Sequence, residues 1–483
     1  MSDGKGMSRR SFFKRSTTGI AAAAAFPTFI PSSAFGANDR VNLAVIGIRG
    51  QGNGHIGGFG RIENVQIAAL CDVDENLFAD RVQQVQERNG NQPRTYTDMR
   101  RLFENRDIDA VTFATPNHWH ALGAIWAAQA GKHVYVEKPS SHTVWEGRQM
   151  VHAARANNVI MQVGFQNRSR PNVNAAIRFM REGGIGKVYM ARGLCHKARP
   201  NIGRYPDGPM PEGSEPFSFT VGGRGSVGPY TRSYLDRVDY DLWMGPAAAR
   251  PFNPNRFHYN WHWQWEYGNG DTGNQGPHQL DVGRWGLGRD DYPVKITSNG
   301  GLFIHTDSAQ NTPNTQTTIY EYADGTIFEF STRGLPTNPD GGVMIGDVFY
   351  GSEGRLEIDD GGNWKTFMGY DNEPGPDSSN IETEVSDARL TVGTGASGHY
   401  GNFINAVRAG DQAVLTCDIE EGHRSSALAH IGNIAYRLGR ELKFDGATER
   451  FVDDAEANAM LKAAYREPFS VPDLSNAVQT TSR

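Results

Sequence analysis

A glycine-rich turn directly after an apolar run constrains the fold of this chain more than any other feature. Residues 41–46 read Val-Asn-Leu-Ala-Val-Ile, which predicts a buried β-strand. That strand leads into Gly47-Ile48-Arg49-Gly50-Gln51-Gly52. Glycines at such a junction let the backbone turn sharply and approach a pyrophosphate, whose charge is stabilised by the amides and positive end of the next helix. The pattern therefore predicts the first unit of a dinucleotide-binding fold.

The glycine motif departs from the usual Gly-x-Gly-x-x-Gly at one position, because Arg49 stands where the second glycine is usual. Asp72 stands 20 residues after Gly52, at the end of a second predicted strand over residues 67–71. A carboxylate at that position binds ribose hydroxyls and repels a 2′-phosphate. The spacing therefore favours NAD, while the positive charge of Arg49 leaves NADP open. Alternatively, Asp72 only caps a helix that follows it.

Further strand and helix patterns extend this unit. Apolar runs at residues 110–114 and 134–136 predict two more strands, and residues 117–131 between them predict a helix that Asn117 caps and Gly131 ends. Strands that alternate with helices predict a parallel sheet covered by helices. Apolar residues at helical spacing predict another structural helix near the end of the chain: Ala427, Ile431, Ile434 and Leu438, with Gly439 as its stop.

The charge of the chain is unevenly distributed. Residues 1–37 hold five basic side chains and one acidic one, a net charge of +4, so the rest of the chain carries −10 of the total of −6. An acidic body of this kind excludes nucleic acid and anionic membranes as favoured partners.

The same first 37 residues have the layout of a secretory signal: a basic stretch, the short apolar run at residues 19–26, and then small residues. Ser8-Arg9-Arg10-Ser11-Phe12-Phe13-Lys14 resembles a twin-arginine export signal. The run is too short to cross a bilayer, so no membrane anchor is expected. Residues 1–37 are therefore predicted to be an export signal that directs the protein to the periplasm, the alternative being an ordinary basic tail.

The three cysteines Cys71, Cys195 and Cys417 form no disulfide framework and no metal-ligand spacing. Cys71 ends an apolar stretch and is predicted to be a buried small hydrophobic residue. No metal site is expected.

Two further segments resemble the signature of the Gfo/Idh/MocA oxidoreductases, the family that includes glucose–fructose oxidoreductase and inositol dehydrogenase. They are residues 115–120, Thr-Pro-Asn-His-Trp-His, and residues 134–139, Val-Tyr-Val-Glu-Lys-Pro. The resemblance continues in residues 163–168, 270–281, 403–408 and 420–425.

The resemblance implies an α/β protein with two domains. Residues 38–165 would form an N-terminal Rossmann domain, and residues 166–475 a C-terminal α/β domain with an open, mainly antiparallel sheet, followed by a tail at 476–483. In the family this sheet often forms the interface of a homo-oligomer.

The resemblance also implies site residues. Lys138, in Glu-Lys-Pro, would contact the reacting hydroxyl or carbonyl beside the nicotinamide, and His278 would handle the proton. Oxidation of an alcohol needs such a cation and such a base. An alternative is that residues 137–139 form a surface turn. The predicted cofactor-binding residues are Gly47, Arg49, Gly50, Gly52, Asp72, Thr115, Asn117, His120, Glu137 and Lys138. The predicted substrate-binding residues are Gln166, Arg168, Trp263, Asn274 and Asp281.

One position departs from the family pattern. Inositol-dehydrogenase-like members have Asp four residues before the histidine, where this chain has Asn274. An amide cannot accept a proton as a carboxylate does, so proton transfer would be left to His278 and Lys138. Asp281, one helical turn beyond His278, could orient the imidazole. Asn274 could bind a hydroxyl or merely cap the local backbone.

Residues 195–267 are dense in glycine, proline and aromatic residues, which predicts an elaborated loop region. Within it, residues 260–266 read Asn-Trp-His-Trp-Gln-Trp-Glu. If this segment is extended, Trp261, Trp263 and Trp265 share one face and could form a platform for sugar rings. Alternatively they fill a core or an oligomer contact.

These features predict an exported NAD(P)-dependent oxidoreductase that acts on a hydroxyl or carbonyl of a sugar or polyol. A compartment without a nicotinamide pool implies a tightly retained cofactor. The first alternative, implied by other members of the family, is a glycoside hydrolase that uses NAD without net redox change, through transient oxidation, elimination and water addition. The second is a sugar-binding protein without catalysis.

Overall fold

Two β-sheets organise the part of the chain that the structure describes. The computed structural model describes residues 40–214, 228–379 and 395–477. The predicted export signal at residues 1–37 and residues 478–483 of the predicted tail lie outside the described residues.

The first sheet has six parallel strands in the order β3-β2-β1-β4-β5-β6, which is the order of a Rossmann fold. Ile46 pairs with Cys71 on one side and Phe113 on the other, so the residues after these three strands lie at one edge. This confirms the predicted N-terminal fold. The strands are β1 Val41–Ile46, β2 Val65–Cys71, β3 Arg94–Tyr96, β4 Ala110–Phe113, β5 His133–Val136 and β6 Met161–Val163.

Helices cover this sheet, and one of them begins differently from the prediction. Pro116 with ψ 153° is the N-terminal cap of α4, so Asn117 is the first helical residue and its side chain is not the cap. The left-handed Gly131 follows the helix, as predicted. The helices are α1 Gln51–Phe59, α2 Phe78–Asn89, α3 Met99–Phe103, α4 Asn117–Gln129 and α5 Val144–Ala156.

The second sheet has ten strands in the order β14-β13-β12-β11-β7-β10-β9-β8-β15-β16. Neighbouring strands are antiparallel except β7 and β10, which confirms the expected mainly antiparallel sheet. The strands are β7 Val188–His196, β8 Lys295–Gly301, β9 Thr315–Glu321, β10 Ile327–Arg333, β11 Ile345–Gly351, β12 Gly354–Asp359, β13 Trp364–Met368, β14 Glu373–Asp377, β15 Leu442–Asp445 and β16 Arg450–Phe451.

Long helices pack on one face of the second sheet, where buried and exposed residues alternate along β9. The apolar stripe predicted near the chain end lies on α12, which Asp418 caps and the left-handed Gly439 ends, as predicted. The helices are α6 Pro171–Arg181, α7 Arg232–Leu235, α8 Tyr240–Met244, α9 Gly270–Asn274, α10 Gly276–Gly286, α11 Gly395–Ala409, α12 Ile419–Leu438 and α13 Ala455–Ala459.

The C-terminal part of the chain returns to the first sheet. Tyr400 and Phe403 on α11 share a buried cluster with Val41 and Tyr135. Cys417 and Phe469 belong to a second cluster on the same sheet. The core around the Rossmann sheet is therefore completed by residues more than 200 positions further along the chain.

Residues 228–267, here called the strap, form an aromatic cluster in which Tyr230, Trp243, Phe257 and Tyr267 are buried, and Val73, just after β2, packs against it. The condition for the sugar platform, an extended segment at residues 260–266, is not met, because His258–Trp263 is a 3₁₀ helix. Trp261 stacks on the neighbouring His262 ring with centroids 3.5 Å apart, and Trp263 is buried elsewhere, so the three indoles share no face.

All three cysteines are buried and free, as predicted for Cys71. No helix in the described ranges is long and apolar enough to cross a membrane.

Candidate active site

A cleft of about 850 Å³ runs along the carboxyl edge of the first sheet and continues to the second domain. Ligand sites of open parallel sheets lie at this edge, and this volume is within the usual range of about 300–1,000 Å³. One end is lined by the glycine turn and Asp72, and the other by Lys138 and His278. The cleft can therefore hold a long ligand with a reacting group at the second end.

The glycine turn needs glycine at two positions. Gly47 has φ +80°, and a Cβ there would lie 2.8 Å from the carbonyl oxygen of Ala114. A Cβ on Gly52 would collide with the carbonyl oxygen of Gly47. A Cβ on Gly50 would meet nothing within 4 Å. Helix α1 starts directly after this turn, so its amino end and the turn amides fit a pyrophosphate.

Arg49, at the position of the missing second glycine, lies along the wall of the cleft. Its Nη1 is 3.9 Å from Asp74 Oδ2 and 3.4 Å from His258 Nε2. The side chain therefore runs toward the strap, which explains how an arginine is accommodated in a turn that is usually closed by glycine.

Asp72 braces the glycine turn. Its Oδ2 accepts the backbone N–H of Ile48 at 2.8 Å, and its Oδ1 accepts that of Asp74 at 3.0 Å. Asp74, and not Asp72, caps the short helical turn that follows. Burial raises the pKa of Asp72 to about 6. Each carboxylate oxygen keeps a further lone pair for a ribose hydroxyl, which fits the predicted role.

We expect Asp72→Asn to weaken NAD binding roughly 10- to 100-fold, because hydrogen bonds to a charged acceptor are each worth about 1.5–3 kcal/mol. NADP binding should weaken less, since repulsion of a 2′-phosphate is removed. In the unsubstituted protein the NAD dissociation constant should rise about tenfold from pH 7 to pH 5, as the carboxylate with a pKa of about 6 becomes protonated. Calorimetric titration of both nucleotides at the two pH values measures these changes.

The exposed Asp107→Asn is the matched control and should change neither constant. Equal NAD affinity of Asp72→Asn, with the same pH dependence as the unsubstituted protein, would remove Asp72 from cofactor binding.

Glu137 is buried beside Lys138 and accepts hydrogen bonds from several side chains. Its Oε1 accepts hydrogen bonds from His55 Nε2 at 3.0 Å, Gln166 Nε2 at 3.1 Å and Gln51 Nε2 at 3.2 Å. Burial favours a raised pKa, but the hydrogen bond and charge of His55, with the charge of Lys138, outweigh it and lower the pKa of Glu137 to about 2. A permanent negative charge therefore lies next to the ammonium of Lys138.

His55 was not identified from the sequence. It is fully buried on α1, and its Nδ1 lies 3.1 Å from Thr112 Oγ1. Its position three residues after Gly52 was the available signal, but only the pairing of β1 with β4 and of β4 with β5 brings Thr112 and Glu137 to it.

Lys138 joins the two domains. Its Nζ donates to the carbonyl oxygen of Asn274 at 2.6 Å, and the Lys138–Pro139 peptide bond is cis. His120 is buried beneath this turn, with Nδ1 2.7 Å from the carbonyl oxygen of Pro139 and Nε2 2.9 Å from that of Thr115. His120 therefore fixes the two predicted motifs against each other at the cleft wall.

His278 lies in the first turn of α10 and faces the same end of the cleft. Burial, aided by the charge of Lys138, lowers the pKa of His278 to about 3. Its Nδ1 is buried and has no hydrogen-bond partner among the described residues. Because of its low pKa the imidazole is uncharged at neutral pH, and an uncharged imidazole at the cleft wall can accept a proton from a substrate hydroxyl.

Three of the predicted substrate-binding residues lie outside the cleft wall. Arg168 and Asp281 form a buried ion pair with N–O distances of 2.8–3.0 Å, and Asp281 also accepts from Ser425. Asp281 therefore does not orient His278, because its carboxylate is engaged by Arg168 and Ser425. Trp263 is buried against Ile202 and the guanidinium of Arg199.

The other predicted residues, except Gly52, line the cleft. Asn117 Nδ2 donates to Asn269 Oδ1 at 2.9 Å, and the hydroxyl of Thr115 is buried with no partner in the described chain. The amide of Asn274 lies 3.4 Å from Asp271 Oδ1 and from the Tyr259 hydroxyl, while its carbonyl holds Lys138. Trp261 and His262, from the tryptophan segment at residues 260–266, also line this end. Residues that the sequence did not indicate complete the wall: Arg170, Lys197, Arg199 and Tyr259.

Comparison with known proteins agrees with this geometry. Residues 41–165 match the profile of the Gfo/Idh/MocA oxidoreductase family, NAD-binding Rossmann fold, and residues 217–337 and 374–471 match its C-terminal alpha/beta domain. The levoglucosan dehydrogenase of Pseudarthrobacter phenanthrenivorans is 34% identical over 144 residues, 30% of this chain and 35% of that protein. A glycosyl hydrolase family 109 protein of Shewanella pealeana is 30% identical over 205 residues, 38% of this chain and 44% of that protein. The chain thus matches less than half the length of these relatives.

Solved structures share the fold at low sequence identity. A levoglucosan dehydrogenase in complex with NADH and levoglucosan superposes with a TM-score of 0.61 at 17% identity, covering 84% of this chain and 100% of that one. The aldose-aldose oxidoreductase of Caulobacter crescentus, complexed with glycerol, gives 0.59 at 16% identity with the same coverage. With both of its domain profiles matched, the chain belongs to the Gfo/Idh/MocA oxidoreductase family, with an NAD-binding Rossmann domain and a C-terminal α/β domain.

Proposed function

We propose that the protein is an exported NAD-dependent oxidoreductase that transfers hydride to or from a hydroxyl or carbonyl of a sugar or polyol. The observation that carries this proposal is the meeting of Lys138 and His278 at one end of a cleft whose other end is the glycine turn. Levoglucosan dehydrogenase, which acts on a sugar derivative, is among the relatives of the chain.

The residues of the cleft would have separate roles in binding and catalysis. The turn from Gly47 to Gly52 would hold the pyrophosphate and Asp72 the adenosine ribose, and bound NAD supplies a hydride acceptor. At the reacting end the ammonium of Lys138 stabilises negative charge on the substrate oxygen. Neutral His278 takes the hydroxyl proton during oxidation and returns it during reduction. The Asn274 carbonyl aims Lys138 from the second domain.

The strap supports tight retention of the cofactor. Its backbone pairs with the loop after β2: Asp239 N donates to Val73 O at 2.9 Å, and Glu75 N donates to Arg237 O at 3.0 Å. Side chains add to this contact, because Tyr234 donates its hydroxyl proton to buried Asp74 and His258 Nε2 lies 3.2 Å from the same carboxylate. A nucleotide beside Asp72 would be enclosed until these bonds open.

Retention fits the proposed export. An enzyme in the periplasm cannot draw on the cytoplasmic nicotinamide pool, so a cofactor enclosed before a twin-arginine export step and restored in each cycle meets that constraint. The strap, which contacts the adenosine end of the cleft, would keep the nucleotide in place during transport.

We expect Tyr234→Phe to raise the rate of nucleotide release roughly tenfold, because it removes one hydrogen bond to a buried carboxylate. Tyr240→Phe on the same strap is the control, since the Tyr240 hydroxyl donates to the Pro251 carbonyl at 3.4 Å and not to Asp74. Release is followed by the loss of NADH fluorescence on chase with excess NAD. Equal rates of nucleotide release in Tyr234→Phe and Tyr240→Phe would show that the strap does not retain the nucleotide.

The decisive test of the proposed function is to denature the purified protein and identify the released nucleotide by mass. NAD at about one molecule per chain is the expected result. Absence of nucleotide, together with no thermal shift on addition of NAD or NADP, would contradict the proposal.

A second candidate is a glycoside hydrolase that uses NAD with no net redox change. The observation in its favour is that glycosyl hydrolase family 109 proteins are among the relatives, with 30% identity over 205 residues. Measuring NADH build-up against glycoside cleavage distinguishes the two. Cleavage with a catalytic amount of NAD and no second sugar would replace the dehydrogenase proposal by this one.

A further inference from the structure

We propose that the substrate carries a negatively charged substituent, a sugar carboxylate, which Lys197 and Arg170 bind beside the reacting centre. This inference rests on the proposed function, because it names the substrate class of the same site. It starts from a contrast: the body of the protein has a net charge of −10, yet cations are concentrated at the substrate end of the cleft.

Lys197 follows β7 directly and lines the cleft. Its backbone N–H donates to the carbonyl oxygen of Arg333 at 3.0 Å, which continues the pairing of β7 with β10 and fixes where the side chain starts. The side chain is half-buried, and within residues 40–214, 228–379 and 395–477 its ammonium makes no hydrogen bond or ion pair. A half-buried ammonium of this kind attracts an anion.

Arg170 also lines the cleft and is close enough to His278 for its charge to act on that imidazole. One of its N–H groups donates to the backbone carbonyl of Asp360. A guanidinium has five N–H donors, so others remain for a planar carboxylate. In the described chain Arg170 has no ion-pair partner.

The carboxylates nearby do not neutralise these two cations. The Asp271 carboxylate accepts hydrogen bonds from the Arg199 guanidinium at 2.6 and 3.0 Å. The Glu137 carboxylate accepts hydrogen bonds from His55 and two glutamines. Asp360 is exposed at the rim, where its Oδ1 accepts from Gln275 at 3.4 Å. An anionic substituent of the substrate would supply the missing charge, while a neutral sugar would leave both cations uncompensated.

The test uses the mature holoenzyme and three matched probes: methyl glycosides of glucose, galactose and mannose, the same glycosides with a 6-carboxylate, and their 6-phosphates. Dissociation constants come from calorimetry, and kcat/KM is measured where turnover occurs. We expect one uronide to bind at least roughly tenfold more tightly than its neutral counterpart. The preference should shrink at high salt.

Lys197→Met should remove most of that preference and leave binding of the neutral glycoside within about twofold, and Lys197→Arg should keep the preference. Lys187→Met is the matched control, because Lys187 precedes the same strand β7 and is exposed. Arg170→Gln is the second variant, should Lys197→Met fail to fold with its nucleotide bound; it should reduce the preference in the same way.

Tighter binding of the 6-phosphates than of the uronides would keep the anion site and assign it to a phosphate ester. A neutral glycoside that binds as tightly as both anions, or a Lys197→Met variant that weakens neutral and anionic probes alike, would overturn the inference. The proposed function fails differently, through absence of bound nucleotide and of hydride transfer, and uronide binding can still be measured in that event.

Discussion

Replacement of Lys138 by Ala should lower kcat/KM on the best sugar substrate at least about 1,000-fold while NAD remains bound. The ammonium lies at the reacting end of the cleft and donates to the Asn274 carbonyl at 2.6 Å. Removing a preorganised donor to developing negative charge costs roughly 100- to 1,000-fold in rate, and Lys138 also holds the second domain in register. The rate is followed by NADH absorbance or by product analysis, and bound nucleotide by mass.

Two variants sharpen this experiment. Lys138→Met keeps the length of the side chain and removes the charge, so it should be as inactive as Lys138→Ala. The exposed Lys443→Ala on β15 is the control and should keep full activity. Unchanged turnover in Lys138→Met would remove Lys138 from the mechanism.

Gly52→Ala should destabilise the fold by about 3 kcal/mol or more and abolish the thermal shift caused by NAD. The new methyl group would collide with the Gly47 carbonyl oxygen, and backbone atoms cannot yield as the end of a side chain can. The turn would have to open, and the amides that fit the pyrophosphate would be displaced. Thermal unfolding with and without NAD measures both effects.

Gly54→Ala is a control within the same helix. A Cβ at Gly54 would meet nothing within 4 Å, and alanine is favoured over glycine in a helix by about 0.5–1 kcal/mol. Slight stabilisation with normal NAD binding is therefore expected. If both variants behaved alike, the close approach of Gly52 to Gly47 would not determine the turn.

Local sequence predicted most of the first domain, because its signals are local. Apolar runs, glycine spacing and a carboxylate 20 residues further on are set by β-strand geometry and by the chemistry of a tight turn. Lys138 and His278 were identified in another way, from the resemblance of the consecutive residues around each of them to the motifs of the family. Asn117 shows where prediction from local sequence fails. Its residue type suits a helix cap, but Pro116, with its fixed φ, occupies the cap position. The Asn117 side-chain amide is therefore free to donate to Asn269.

Residues that depend on distant contacts were not predictable in this way. Arg168 and Asp281 lie in motifs of the right kind, yet they are 113 positions apart and neutralise each other in the core. Trp263 was assigned from an alternation that exists only if the segment is extended, and aromatic stacking instead favours a compact turn. Lys197 and Arg170 belong to no motif, and only the packing of β7, α6 and α10 places them beside the cleft.

The return of α11 and of residues 417 and 469 to the first sheet also affects how this protein is made. A ribosome that has released residues 38–165 has produced all six strands of the Rossmann sheet, but Tyr400, Phe403 and Phe469 are still to be synthesised. The apolar surface that they cover stays exposed until nearly the whole chain has emerged, so chaperones would have to protect it during that interval. Assembly of the sheet is thereby linked to completion of the chain, and under the proposed export this favours delivery of a finished molecule that already holds its cofactor.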